Sequence, residues 1–451
     1  MKKLLILFAC ILTISSCTQQ PALHHSDWAY DATIYELNTR QFTPEGTFAA
    51  AEAQLPALKE LGVDIIWIMP IQPIGKLTRK GTLGSYYSII DYCDFNPEFG
   101  TRRDFEHFLA AAHQLGMHVI LDWVANHTAP DSKWTLNEGW HYRDSLGNLM
   151  VQYDWTDISK LNYNNADMRR EMLRCMRWWV DSIGIDGFRC DVAMEVPTDF
   201  WNWAYRNIRN DHPNLFALAE AEQPENHLCD SAFDMYYGWE LHHIMNGVAQ
   251  QHNSVADLWT YFAKADTVFP AYAIRMNFTS NHDENSWNGT EFERMGDASD
   301  AMAAFTYFIP GMPLIYTGQE YANNHRLQFF EKDSIIRNHN AHQFAMYQQL
   351  NALRKHNAAL RSPEQGAPMV RLATDNNHIF AAARAIKGNT VIGLFNFSPE
   401  EQTFTLSADA YAGTYNCLGG MAAEPAQTCE QTLTDSTLLT LQPWQWRLLH
   451  K

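Results

Sequence analysis

The segment GFRCD, Gly187 to Asp191, places an arginine and an aspartate two positions apart around a cysteine. On a strand, positions i and i+2 share a face. Arg189 and Asp191 therefore project together, and Cys190 turns toward the opposite, helix-facing side. Two further acids end comparable apolar runs: Glu220 closes LFALAE, and Asp283 closes RMNFTSNHD beside Asn281 and His282. A third run, LDWVANH, adds Asp122, Asn126 and His127. Taken alone, Arg189 and Asp191 could be a buried ion pair, Asp122 a structural partner of Arg189, and Glu222 a rival of Glu220 on the same strand face. Taken together, three carboxylates on different strands suit cleavage of a glycosidic bond. One acid protonates the departing oxygen, and a second carboxylate attacks or stabilises the oxocarbenium-like carbon. Neighbouring negative charges raise one pKa so that a proton is retained near neutrality, and a cation such as Arg189 keeps the attacking group ionised.

Such residues need strand ends that converge. Eight short apolar runs between about Thr33 and Leu360 alternate with helical segments, and several have the continuous apolar character of strands buried on both faces. In TRRDFEHFLAAAHQLG, Phe105, Phe108, Leu109, Ala112 and Leu115 form one helical stripe with Thr101 as cap. In ADMRREMLRCMRWWVDSIG the stripe is Met168, Met172, Cys175, Met176 and Trp179, which makes Cys175 a core residue. Eight strand–helix repeats predict an α/β fold of the (β/α)₈ TIM-barrel type, with working residues at the C-terminal strand ends. An open doubly wound sheet is the alternative, but no glycine-rich phosphate loop follows the first strand. The predicted divisions are a leader over 1–17, a tether over 18–27, a barrel over 28–362 and an all-β sandwich over 363–451. A short aromatic-rich insert, 128–164, follows the third strand.

A net charge of −18 argues against a phosphate-backbone partner, so no nucleic acid is expected. Lys2, Lys3 and the apolar run Leu4 to Ile14 form an export leader too short to span a membrane. ISSC, ending at Cys17, resembles a bacterial lipobox, which implies an exported lipoprotein held to the membrane only through a lipid on Cys17; an ordinary signal peptide cut at a small residue is the alternative. No acidic run follows Cys17, which favours the periplasmic side over the cell surface. Cys417 and Cys429 are close enough in sequence for a disulfide in an oxidising compartment.

LDWVANH, GFRCD, FALAE and FTSNHD are similar, in order, to the four motifs of the alpha-amylase family of glycoside hydrolases. GVDIIWIMPIQPIG, GSYYSIIDYCDFNPEFGT and GMPLIYTGQE resemble further segments of that family, and the β tail fits its C-terminal domain. The resemblance implies a retaining enzyme of α-1,4-linked glucans or maltooligosaccharides, with Asp191 as nucleophile, Glu220 as general acid/base and Asp283 as transition-state stabiliser. It further implies that Tyr87 stacks on the attacked sugar and that His127, Arg189 and His282 line its subsite. Asp122 joins this substrate-binding group. No cofactor is required for the chemistry; Asn126 and Asp157 are the candidate oxygen ligands of a structural calcium. Met194 and Glu195 depart from the family pattern, standing where many secreted relatives carry Lys and His. A transglycosylase or isomerase using the same intermediate is the alternative, and a noncatalytic glucan-binding protein is a third reading that the three carboxylates disfavour.

Overall fold

The computed structural model describes residues 25–222, 225–421 and 424–451. Cys17, the leader and most of the expected tether lie outside the described residues. The eight apolar runs all form strands: β1 (Ile34–Leu37), β2 (Ile65–Ile68), β3 (His118–Trp123), β4 (Gly187–Cys190), β5 (Phe216–Ala219), β6 (Met235–Tyr237), β7 (Ile274–Asn277) and β8 (Met312–Tyr316). Each pairs in parallel with its sequence neighbours, and β8 closes on β1 to complete the barrel. Their continuous apolar character follows from burial on both faces. One set of side chains, including Ile34, Trp67, Ile120, Leu218 and Met276, fills the barrel interior. The alternate set packs outward, and Phe188 and Cys190 belong to it. The Cys190 thiol lies 3.2 Å from the Tyr205 hydroxyl on α3 (Thr198–Arg209).

The two helical stripes also form. In α1 (Arg102–Gln114), Thr101 and Asp104 make a reciprocal capping box, and Phe105, Phe108, Leu109 and Ala112 are buried. In α2 (Ala166–Trp178), Asn165 caps the first turn and Cys175 is buried among Met168, Met172 and Met176. The insert after β3 has little regular structure. Its ends are clipped together where His127–Thr128 pairs antiparallel with Ser159–Lys160.

The tail forms a six-stranded antiparallel sheet facing a three-stranded one, with Ile392, Leu394, Phe404 and Leu439 between them. Its outer face packs on barrel helices α4 (Val255–Val268) and α5 (Ser299–Phe308). Phe380 stacks on Trp259 at 4.4 Å, and buried Arg384 donates to the Phe308 carbonyl at 2.9 Å.

Two expectations need correction. The tether does not run to residue 27: His25 is fully buried, with Nδ1 2.8 Å from Asp234 and Nε2 2.7 Å from the Tyr272 carbonyl. Cys417 and Cys429 stand directly opposite on neighbouring strands, yet both are free thiols. Cys417 is buried in the sandwich core and Cys429 is exposed.

Candidate active site

The C-terminal strand ends open into a cleft of about 520 Å³. Asp191 and Glu220 each stand one residue past the end of β4 and β5, while Asp283 follows β7 after a turn. All three line this cleft, together with Tyr87, His127 and His282.

Arg189 organises the acids from below. Its Nη1 lies 2.9 Å from Asp122 and 3.3 Å from Asp191, and its Nη2 lies 2.8 Å from Glu220 Oε2. Its Nε donates to the Tyr237 hydroxyl at 3.1 Å, and the guanidinium lies over the Trp67 ring at 4.9 Å. Such a buried charge is sustainable only because each face has an anion or an aromatic partner. Burial, then the adjacent Glu220 charge, push the Asp191 carboxyl well above its ordinary range, against the pull of Arg189. Asp283 is also pushed up, mainly by burial and by Glu220, with His282 opposing.

His282 is held between two acids. Its Nδ1 is 2.5 Å from Glu36 and its Nε2 is 3.4 Å from Asp283 and 2.9 Å from the Tyr87 hydroxyl. Burial would lower its pKa, but Asp283 and Glu36 outweigh burial and hold it at about 9. His127 is the opposite case: burial lowers it to about 3, so it is a neutral imidazole at working pH. Its Nδ1 faces the Asn126 amide at 3.2 Å, and its buried Nε2 has no protein partner. Tyr87 stacks on His282 with ring centres 5.5 Å apart and donates to Asp122 at 3.0 Å.

Not every expected substrate contact reaches the cleft. Asp122 and Arg189 are fully buried and lie beneath the lining. Asp122 instead accepts hydrogen bonds from Trp67 Nε1 at 3.0 Å, from Tyr87 and from Arg189, so it positions groups that do face the cavity. Glu222 also falls outside. Burial lifts it to about 7, a value fit for an acid, but its carboxylate accepts from the Glu240 backbone at 2.9 Å, away from the cleft. Geometry selects Glu220.

The candidate calcium ligands do not form a cation cradle. Asp157 pairs with Lys80 Nζ at 3.3 Å, and the Asn126 amide donates to Gln152 at 2.7 Å. Glu195 accepts from the Tyr153 hydroxyl at 2.5 Å and pairs with Lys160 at 3.3 Å. An ammonium group at Asp157 repels a divalent ion, and six to eight oxygens are what calcium needs. Among the described residues no cluster of three His, Cys, Asp or Glu side chains is arranged to hold a metal.

Glu36, Tyr237, Lys80, Trp287 and Phe329 are functional neighbours that the sequence reading missed. Glu36 left a signal, an acid inside the apolar β1 run. The loop residues left none.

The profile of the alpha-amylase catalytic domain matches residues 37–138 and 135–364. The chain belongs to the alpha-amylase family. It is 27% identical over 418 residues to alpha-amylase MalA of Haloarcula japonica, a match covering 87% of this chain and 60% of that protein. The chain thus spans about 60% of that relative's length. Among solved structures, an alpha-amylase from Lactobacillus plantarum superposes with TM-score 0.81 at 27% identity, covering 94% of this chain and 99% of the other. The maltogenic alpha-amylase AmyB from Thermotoga neapolitana gives 0.83 at 26% identity, covering 93% and 98%. The motifs GFRCD and FALAE therefore belong to an alpha-amylase family enzyme, with the closed parallel barrel of that fold.

Proposed function

We propose that this protein is a retaining glycoside hydrolase that cleaves α-1,4-linked glucans or maltooligosaccharides. The observation that carries the reading is the Arg189 guanidinium, which reaches Asp191 and Glu220 at once on the floor of the cleft. The shared guanidinium gathers both carboxylates at one end of the cleft, and a double displacement requires them about 5–5.5 Å apart.

Asp191 attacks the anomeric carbon, and Glu220 delivers its proton to the departing glycosidic oxygen. Glu220 then removes a proton from water, which displaces Asp191 with a second inversion. Asp283 and protonated His282 hold the hydroxyls of the distorted sugar, Tyr87 covers its face, and the unpartnered Nε2 of His127 accepts from a hydroxyl. These contacts accelerate the reaction to the extent that they strengthen in the transition state.

The test is the configuration of the first product released from maltotetraose, followed by NMR. Release of the α anomer is expected, and initial release of the β anomer overturns the mechanism. Longer oligosaccharides with little gain of reducing ends would assign the same intermediate to a transferase. We also propose that the protein acts outside the cytoplasm, as a periplasmic lipoprotein anchored at Cys17. Labelling with a fatty acid, lost in Cys17→Ser, tests that.

A further inference from the structure

The cleft extends outward past the three carboxylates to an exposed aromatic ring. Trp287 lines the cleft, four residues after Asp283, and keeps 54% of its surface exposed. A lone exposed indole is ordinary, but one continuous with further rings at a cavity mouth marks a binding surface. The ring is backed by Phe329 at 5.4 Å and Phe330 at 5.8 Å, and Phe329 lies nearly parallel to Tyr87 at 6.2 Å. Tyr87, Phe329 and Trp287 thus form one aromatic surface running outward from the attacked-sugar position.

The surface is held in place. Turn 284–288 is tied to the loop after β8: Ser286 Oγ donates to the Leu327 carbonyl at 3.1 Å, and Leu327 N donates to Asn285 at 2.8 Å. Glu284 is anchored at its base by His242 at 3.2 Å. A preformed flat surface costs little ordering on binding. It also stands on a defined side of the cleft. Trp287 follows β7 and Phe329 follows β8, whereas Trp155 and Tyr153 stand in the insert after β3, across the barrel ring from β7. Glu220, on β5, lies outside the β7–β8 arc.

The geometry points to Trp287, backed by Phe329 and Phe330, as a stacking subsite for the glucosyl unit next to the attacked one, on the side that stays with the enzyme. The chemistry fits: a pyranose ring presents an apolar C–H face to an indole while its hydroxyl edge stays in water. The assignment rests on the α-glucan reading of the site, and it makes Trp287 a determinant of chain length.

Trp287→Ala and Trp287→Phe are compared with the wild type on maltotetraose and on para-nitrophenyl α-glucoside, which has no second sugar. For Trp287→Ala the ratio of kcat/KM between the two substrates should shift about five- to tenfold against maltotetraose, mostly through KM, with partial recovery in Trp287→Phe. Equal losses on both substrates would overturn the subsite and leave a structural role. If the wild type cleaves neither substrate, the hydrolase reading fails, and calorimetry with maltotetraose decides the subsite separately. A Kd unchanged by Trp287→Ala would overturn it; a five- to tenfold weaker one would support it.

Discussion

The backbone N–H of Val192 donates to Glu220 Oε2 at 2.8 Å, and Val192 makes this contact from φ +36°. A β-branched residue rarely occupies the left-handed region, and the strain persists because both ends of the segment are fixed. Upstream, Asp191 N donates to the Trp123 carbonyl at 3.0 Å; downstream, Ala193 N donates to the Glu220 carbonyl at 3.1 Å. The loop that carries Asp191 therefore aims Glu220. One Glu220 oxygen is occupied by Val192 and Arg189, which leaves the other to face the cleft.

Glu220→Gln should lower glucan turnover by about 10²–10⁴. Formation of the glycosyl enzyme from dinitrophenyl α-glucoside, whose leaving group needs no proton, should be largely spared. Burst kinetics on that substrate check it: equal suppression of both reactions would remove Glu220 from the acid role.

The alkaline limb of activity should follow His282. Its pKa rises from 6.5 to about 9 on folding. A raised folded pKa means the histidine's ion pairs stabilise the fold fully below about pH 6.5, and that stabilisation is lost as pH climbs through about 9. Thermal denaturation of the wild type between these pH values should show a fall in Tm that His282→Gln lacks. The kcat/KM profile of the wild type should bend down near pH 9, and an unchanged bend in His282→Gln would assign it elsewhere.

Chelation should leave the protein intact. Lys80–Asp157 and the Glu195 contacts to Tyr153 and Lys160 clip the insert to the barrel without a cation. EDTA should not change Tm or the rate of limited proteolysis. Glu195→Ala should cost about 1 kcal/mol or less, as for a partly exposed pair, but should speed cleavage within 128–164. A large loss of Tm in EDTA would restore the metal.

The barrel was legible because its strands are buried on both faces: runs such as VDIIWIMP and LFALAE have no polar alternation to confuse them with an exposed strand. Glu220 was legible for the same reason, as the first charge after such a run, and Asp191 through its spacing to Arg189 on one strand face. Strand alternation separated Arg189 from Cys190, but it did not give depth. Asp122 and Arg189 share the inward face with the reacting groups and still lie beneath the cavity, because the cleft begins only above the strand ends. Lys80, Trp287 and Phe329 come from three different loops whose convergence depends on barrel closure, and no local periodicity encodes that. The opposed thiols of Cys417 and Cys429 show the converse limit: closeness in sequence put them face to face without joining them.

That depth gives the last prediction. Asp122 lies beneath the cleft lining and accepts from Trp67, Tyr87 and Arg189. Asp122→Ala leaves a buried guanidinium short of one partner and frees the Tyr87 hydroxyl, at a cost of about 3–5 kcal/mol in stability. Asp122→Asn keeps the shape and one acceptor oxygen, so it should fold better while lowering kcat: with one anion fewer, Arg189 is drawn more strongly to Asp191 and Glu220. Burial and the Glu220 charge raise Asp191, so the acid limb of kcat/KM should lie above the ordinary aspartate range. Removing the Asp122 charge, which itself raises Asp191, should move that limb downward in Asp122→Asn. Denaturant unfolding and a pH–rate profile on the same two variants separate the effects. An Asn variant with wild-type kcat and an unmoved acid limb would reduce Asp122 to packing.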